Sequence, residues 1–266
     1  MNENAPLISV IICTRNRREL VVRAVDSVLA QEFVSTEIIV VDDCSEDDTC
    51  ESLKERYRDR IKLVSLEINR RVAYATNRGF NESTGEFIAL LGDDDYWNDS
   101  KKLVKQLAVF ADSDTSLGVV GTWWTEMHQS GDILAREPME PENWKERLLE
   151  SGGVICGSTP LIRREAWIAV GGLDERMPRG TDSDLFRGII LAGYEGKIIQ
   201  EKTTIVDVSH GLTRMTTNRG LSEAKRTAYA HAYLLWKYRG HYIRHPRAML
   251  TRMKSLVLKP LIAIIR

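Results

Sequence analysis

A chain of 266 residues, 43% hydrophobic and 28% charged, can bury the core of one large α/β domain or two small ones. That balance excludes a disordered, collagenous or disulfide-stapled chain. The net charge of −1 hides an asymmetry, because residues 1–223 hold 27 basic against 38 acidic residues, while ten basic residues and no acidic one follow Glu223.

In chain order, Leu7 to Cys13 is a β-branched apolar run with the character of a buried parallel strand. A polar turn, Thr14 to Arg17, leads to a helix over Arg18 to Gln31 with Leu20, Ala24, Val28 and Leu29 on one stripe. Glu37 to Val41 is a second strand ending in Asp42-Asp43-Cys44-Ser45, and Ser45 or Asp47 is a candidate cap for a helix to Arg58. Ile61 to Leu66, a helix from Val72 to Glu82 and the strand beginning at Phe87 complete a β/α alternation, the mark of a parallel sheet wrapped by helices.

Beyond Trp97 the pattern predicts a helix capped by Asp99 or Ser100, and a short strand over Leu117 to Gly121. A hairpin turn at Ser130-Gly131-Asp132 and a strand over Ser158 to Arg163 follow. A short helix over Arg164 to Val170, a helix over Asp182 to Ala192 with Thr181 or Asp182 near its N-cap, and two short strands between Lys197 and Val208 come next. Ser222 is the expected cap of a helix to Trp236, and Pro246 opens a last, basic one.

The chemistry lies at strand ends. The fourth strand ends in Asp93-Asp94-Asp95, and three adjacent carboxylates repel one another unless a cation neutralises them. The first and second strands end in Thr14-Arg15-Asn16 and Asp42-Asp43, and in a right-handed parallel sheet these ends share one edge. Neither a P-loop nor a dinucleotide fingerprint is present. Trp97, Trp123 and Trp124 are either a ring-stacking platform for a ligand or core packing.

In order and at matching separations, the segments Ser9 to Arg17, Val40 to Thr49, Asn77-x-Gly79 with Gly85-Glu86-Phe87, Asp93 to Trp97, Gly171 to Glu175 and Asp182-x-Asp184-Leu185 resemble the family 2 glycosyltransferases of the GT-A fold. That resemblance implies a Rossmann-like, mostly parallel central sheet flanked by helices. It also implies inverting transfer from a nucleotide sugar, UDP favoured, with Mn²⁺ or Mg²⁺ as cofactor. Carried over residue by residue, Asp182 is the expected catalytic base, with Asp184 its local rival and an acceptor-side residue. Thr14, Arg15, Asn16, Asp43, Arg71, Asn77 and Asp93 face the donor, with Arg15 stacking where other members place an aromatic. Asp94, Asp95 and His210 hold the metal, and Trp97 and Trp124 meet the acceptor. The chain departs from the family pattern at Thr76, at Arg70-Arg71 in place of a Gly-rich turn, and at Gly92 in place of an Asp.

The expected organisation is a catalytic domain over 1–221, with a donor half at 1–98 and an acceptor half at 99–221, followed by a basic helical extension at 222–266. Lys and Arg interleaved with apolar positions make 246–266 either a docked helix or an anchor on an anionic membrane surface, and no nucleic-acid motif accompanies the charge. Cys13, Cys44, Cys50 and Cys156 show no metal or redox spacing, which points to a reducing compartment. With no signal-peptide pattern and no apolar run of about 20 residues, the expected location is the cytoplasm, extending to the inner face of the membrane. The expected acceptor is a glycan or lipid-linked saccharide of envelope polysaccharide synthesis. Nucleotidyl transfer and non-catalytic carbohydrate binding are the alternative functions.

Overall fold

The structure, a computed structural model, describes residues 6–210 and 221–265, with side chains as far as 258. The first half alternates β1 (Leu7–Thr14), α1 (Arg18–Leu29), β2 (Ser35–Asp42), α2 (Thr49–Tyr57), β3 (Lys62–Ser65), α3 (Arg71–Asn81) and β4 (Phe87–Gly92). The β-branched run of β1 is buried because helices cover both faces of its sheet, and Ile8, Val10 and Ile12 are fully enclosed. β1 pairs in parallel with β2 on one side and β4 on the other, and β2 with β3. After β1 the chain winds outward to β3, then crosses back to β4. The crevice beyond the carboxyl ends of β1 and β4 is therefore a topological switch point, where open α/β sheets bind ligands.

The second half comprises β5 (Tyr96–Trp97), α4 (Lys102–Ala111), β6 (Leu117–His128), β7 (Ile133–Arg136), α5 (Trp144–Glu150), β8 (Leu161–Arg163), α6 (Arg164–Val170), α7 (Thr181–Leu191) and β9 (Glu195–Val208). Among the described residues the sheet runs β3-β2-β1-β4-β8-β6-β9-β5, with β7 paired to β6. β8 is antiparallel to both β4 and β6, whereas β6 and β9 are parallel, with register shifts around Thr122 to Trp124. Such irregularities increase local twist and curl the sheet.

Several local expectations change. The segments around Leu117 and Lys197 are long strands, because each supplies the other's ladder as far as His128 and Val208. The expected strand from Ser158 begins only at Leu161, and α5 was not legible as a helix although Asn143 caps it by accepting from the Glu146 amide at 3.1 Å. Asp47, not Ser45, accepts the Thr49 amide at the start of α2, and Asp99 accepts the Lys101 amide one residue ahead of α4. Gly180, at φ +67, precedes α7, which places Thr181 and Asp182 inside its first turn. Ser222 likewise lies inside the helix that begins at Leu221. The sequence ends the last strand at Ser209-His210-Gly211, of which Gly211 lies outside the described residues.

The tail forms α8 (Leu221–Lys237), α9 (Arg239–Arg244) and α10 (Pro246–Ile265). Ala230 and Leu234 of α8 cluster with Met177. Lys237 Nζ reaches Asp174 Oδ2 at 2.9 Å and the buried Asp184 Oδ2 at 2.6 Å, pinning the end of α8 to α7 and the turn before it. Lys237→Met is expected to lower the unfolding free energy by about 3 kcal/mol, since removing one partner leaves a buried carboxylate poorly compensated. An unchanged urea midpoint would contradict that.

Burial pushes the Asp174 carboxyl up, but hydrogen bonds from Arg176, Lys237 and Tyr233 outweigh it and hold the group well below the usual carboxylate range. A depressed carboxylate contributes stability above its unfolded pKa and loses it as pH falls through the folded value. The α8 attachment should therefore weaken below about pH 4. Urea titrations should show a shallower acid decline in Asp174→Asn than in the wild type.

Candidate active site

The loops after β1 and β2 are sewn together before any ligand is considered. Arg15 donates to Cys44 O at 3.1 Å and to Glu46 at 2.9 Å. Asn16, at φ +53, a conformation asparagine tolerates, accepts the Glu46 amide at 2.7 Å while its own amide donates to Ser45 Oγ. Asp42 in turn accepts the Ser45 amide at 3.0 Å. The result is a stiff rim beside the switch point. Next to it a cleft of about 390 Å³ opens between Arg17, Arg18, Leu20, Asp47 and His210.

Across that crevice Arg17, not singled out from the sequence, reaches Asp93 Oδ1 at 2.8 Å and Asp94 Oδ2 at 3.2 Å. Its guanidinium supplies the positive charge that adjacent buried carboxylates require. Burial still pushes the Asp93 carboxyl up to about 6, against the pull of Arg17 and with the push of Asp94. His210 Nε2 lies 3.3 Å from Asp94 Oδ2.

The placement of His210 has a visible cause. Arg23 pairs with Asp207 at 2.7 Å and donates to Asp94 O at 2.8 Å, while Asp207 Oδ1 accepts the Ser209 amide at 2.8 Å. One arginine thus ties the end of β9 to the carboxylate triplet. Neither Arg23 nor Asp207 stands in a motif, so only the closing of the sheet by β9 brings them into view.

Among the described residues no group of three or more His, Cys, Asp or Glu side chains is arranged to hold a metal ion. The pair Asp94 and His210 still fits one. Mg²⁺ is commonly held by one or two carboxylates together with substrate phosphates, and an imidazole nitrogen suits Mn²⁺.

Asp95, expected beside them, faces inward instead. It accepts from the Ser158 hydroxyl and, at 3.1 Å, from the Asp207 amide, so it braces β4 against β9 rather than standing beside Asp94 and His210.

Other expectations need correcting as well. Asn77 does not face a donor, because its amide clasps the 171–175 turn through Leu173 N, Leu173 O and Glu175 at 2.9–3.0 Å. Gly172, at φ +75, permits that clasp, since a Cβ there would lie 2.6 Å from Asn77 Oδ1. Asp43 accepts the Arg70 and Arg71 amides at 2.6 and 2.8 Å, so it first anchors the start of α3 and keeps one lone pair on each oxygen for a ligand. Arg71 itself has an exposed side chain and a left-handed backbone, φ +68. Thr14 is buried at the end of β1.

Trp97 and Trp124, expected to meet the acceptor, are buried instead. Trp97 belongs to the core and donates to Ser158 O at 2.9 Å, and Trp124 is only 8% exposed. Asp184 is 2% exposed and held by Lys237 and by Tyr238 Oη at 2.9 Å, which removes it from the acceptor side and from competition as base.

Asp182 is different. Burial pushes its carboxyl above the usual carboxylate range, partly opposed by backbone hydrogen bonds. Consecutive residues join it to the triplet: Ser158 bonds Asp95, and a Cβ built on Gly157 would lie 3.1 Å from Asp182 Oδ2. A methyl group there forces Asp182 to shift by a few tenths of an ångström. Gly157→Ala is therefore expected to lower turnover about tenfold or more while leaving the unfolding midpoint near that of the wild type.

The glycosyl transfer family 2 profile, described as "Glycosyl transferase family 2", matches residues 9–170, more than half of the chain. The chain belongs to glycosyl transferase family 2. Similar proteins include EpsE of Bacillus subtilis (strain 168), named as a glycosyltransferase, which is 30% identical over 74% of this chain and 72% of its own. WcaA of Escherichia coli (strain K12), named for colanic acid biosynthesis, is 27% identical over 87% of this family 2 chain and 81% of its own. TuaG of B. subtilis, named for teichuronic acid biosynthesis, is 36% identical over 60% of this chain and 63% of its own.

Solved structures show the fold. S. aureus TarS residues 1–349, in complex with UDP-GlcNAc, superposes with a TM-score of 0.67 at 20% identity, covering 86% of this chain and 66% of that one. Against the longer TarS chain the coverage is 39% of its length. The mannosyltransferase PcManGT of Pyrobaculum calidifontis, in complex with GDP-Man and Mn²⁺, has a TM-score of 0.65 at 18% identity, covering 95% of this chain and 74% of that one. The family 2 chain thus has the GT-A fold, with a curled α/β sheet flanked by helices.

Proposed function

We propose that this transferase moves a sugar from a nucleoside-diphosphate donor, UDP favoured, to an acceptor hydroxyl with inversion at the anomeric carbon. The observation that carries the reading is the pairing of two environments. A charge-matched Asp93–Asp94–Arg17 cluster lies at the switch point, and a partly buried carboxyl of raised pKa, Asp182, is coupled to it through Gly157-Ser158.

Asp182 takes the proton from the acceptor hydroxyl as that oxygen bonds to the anomeric carbon and the bond to the diphosphate breaks. Asp93 orients donor hydroxyls, Asp43 offers a lone pair to the base, and Arg17 supports the phosphates. Asp94 and His210 would hold Mn²⁺ or Mg²⁺, which when bound acts as a Lewis acid on the leaving diphosphate.

Residues 1–221 hold this machinery, with the donor on 1–98 and the acceptor on 99–221. The names of WcaA and TuaG support an acceptor that is a glycan or lipid-linked saccharide of envelope polysaccharide synthesis. No helix among the described residues is long and apolar enough to cross a membrane. The proposed placement, which rests on the expected lipid-linked acceptor instead, is the cytoplasmic side of a membrane.

Incubating the protein with a panel of sugar nucleotides, Mn²⁺ and saccharide acceptors should release nucleoside diphosphate. NMR of the product should show an inverted anomeric centre. Retention would overturn the direct displacement. Release of sugar 1-phosphate would indicate nucleotidyl transfer, and binding without turnover of any donor would indicate a carbohydrate-binding protein.

A further inference from the structure

The last helix has two faces with opposite commitments. On one, Ala248 is fully buried and Arg252 only 3% exposed. Arg252 donates to Leu149 O at 2.8 Å and to Tyr242 Oη at 3.2 Å, fastening α10 to the carboxyl end of α5, where a cation is favoured. That contact fixes the rotation of the helix about its axis. On the other face, Leu250, Met253, Val257 and Leu258 are 56%, 49%, 60% and 55% exposed. At 100° per residue, Arg247, Leu250, Lys254, Val257 and Leu258 share one sector, with Met253 at its margin. Both cations are exposed, and Ile243 of the preceding α9 is 75% exposed.

From this we infer that the outward face of α10 docks on an anionic lipid bilayer, with the leucines and Val257 entering the headgroup region and Arg247 and Lys254 meeting lipid phosphates. Charge favours this occupant over an ordinary protein surface, because every ionisable carboxylate side chain of the sequence lies at or before Glu223 while ten Lys and Arg residues follow it. A basic helix with an apolar stripe lies in the plane of such an interface, and each nearby cation strengthens binding to anionic lipid. Since Arg252 anchors the opposite face, docking needs no rearrangement of α10. The surface is separate from the carboxylate site and stands whether or not sugar transfer does.

Sedimentation of the full chain with phosphatidylcholine vesicles, with and without phosphatidylglycerol, tests the inference. The wild type should sediment with the anionic vesicles and stay in solution with the neutral ones. Arg247→Gln/Lys254→Gln should weaken partitioning roughly twentyfold, and Leu250→Ser/Val257→Ser should do so by a similar factor, with urea midpoints unchanged in both variants. A wild type that ignores both vesicle types, or variants that partition as it does, would overturn the inference. So would variants that convert a dimer to a monomer by light scattering without changing partitioning, which would make this face a contact between copies.

Discussion

Asp182→Asn is expected to reduce kcat roughly 10²–10⁴-fold, the span usually lost with a positioned general base. An amide preserves shape and cannot take the acceptor proton, so donor binding should persist and the loss should fall on kcat rather than KM. The wild-type profile carries a further signature. Because burial raises the Asp182 pKa, its basic form is lost on the acid side at a higher pH than for an ordinary carboxylate. The rate should fall as pH drops through that raised value, and the same limb should be missing from the residual activity of the variant. Loss of a charge in the first turn of α7 costs about 1 kcal/mol or less of helix-dipole interaction, so unfolding cannot account for the effect. Full activity in Asp182→Asn would place the base elsewhere.

Asp94→Asn should be nearly as damaging. A metal-stabilised leaving group is a matter of several kcal/mol, which corresponds to about 10³-fold in rate. Asp94 also shares Arg17 with Asp93, but at 3.2 Å against 2.8 Å its share is the smaller, so Asp93 should stay paired in the variant. The check independent of turnover is Mn²⁺ binding by electron paramagnetic resonance. Asp94→Asn should leave the ion free at concentrations that the wild type binds, and His210→Ala should fall between the two. Wild-type affinity in Asp94→Asn would remove Asp94 from the metal site.

The first half of the fold was legible because its signals are local. β-Branched runs such as Ile8 to Ile12 mark buried strands, and polar residues after them mark one edge of a parallel sheet. The second half was less so, because β6 and β9 owe their length to each other and no window of sequence contains that ladder. The site followed the same division. Asp93, Asp94 and Asp182 are candidates by motif and place, and His210 is one by place alone.

Motif position does not tell which way a side chain turns. Asn77 and Asp184 sit where a ligand residue is expected, yet packing turns both into clasps between elements. Asp95 illustrates this most simply: it neighbours Asp94, but the tight turn after Gly92 directs it toward Ser158. Arg17 was hidden for the opposite reason. It is one of three arginines between positions 15 and 18, and only the β1–β4 crossover decides which one meets the triplet.

The proposed function requires a strand-edge site that takes a diphosphate together with a divalent cation. Calorimetric titration of the nucleoside diphosphates UDP and GDP into the protein with Mn²⁺ tests this most directly. At least one should bind the wild type in the presence of Mn²⁺, and both chelation and Asp94→Asn should abolish that heat. A nucleotide that binds equally well after chelation and in Asp94→Asn, or none that binds at all, would contradict it.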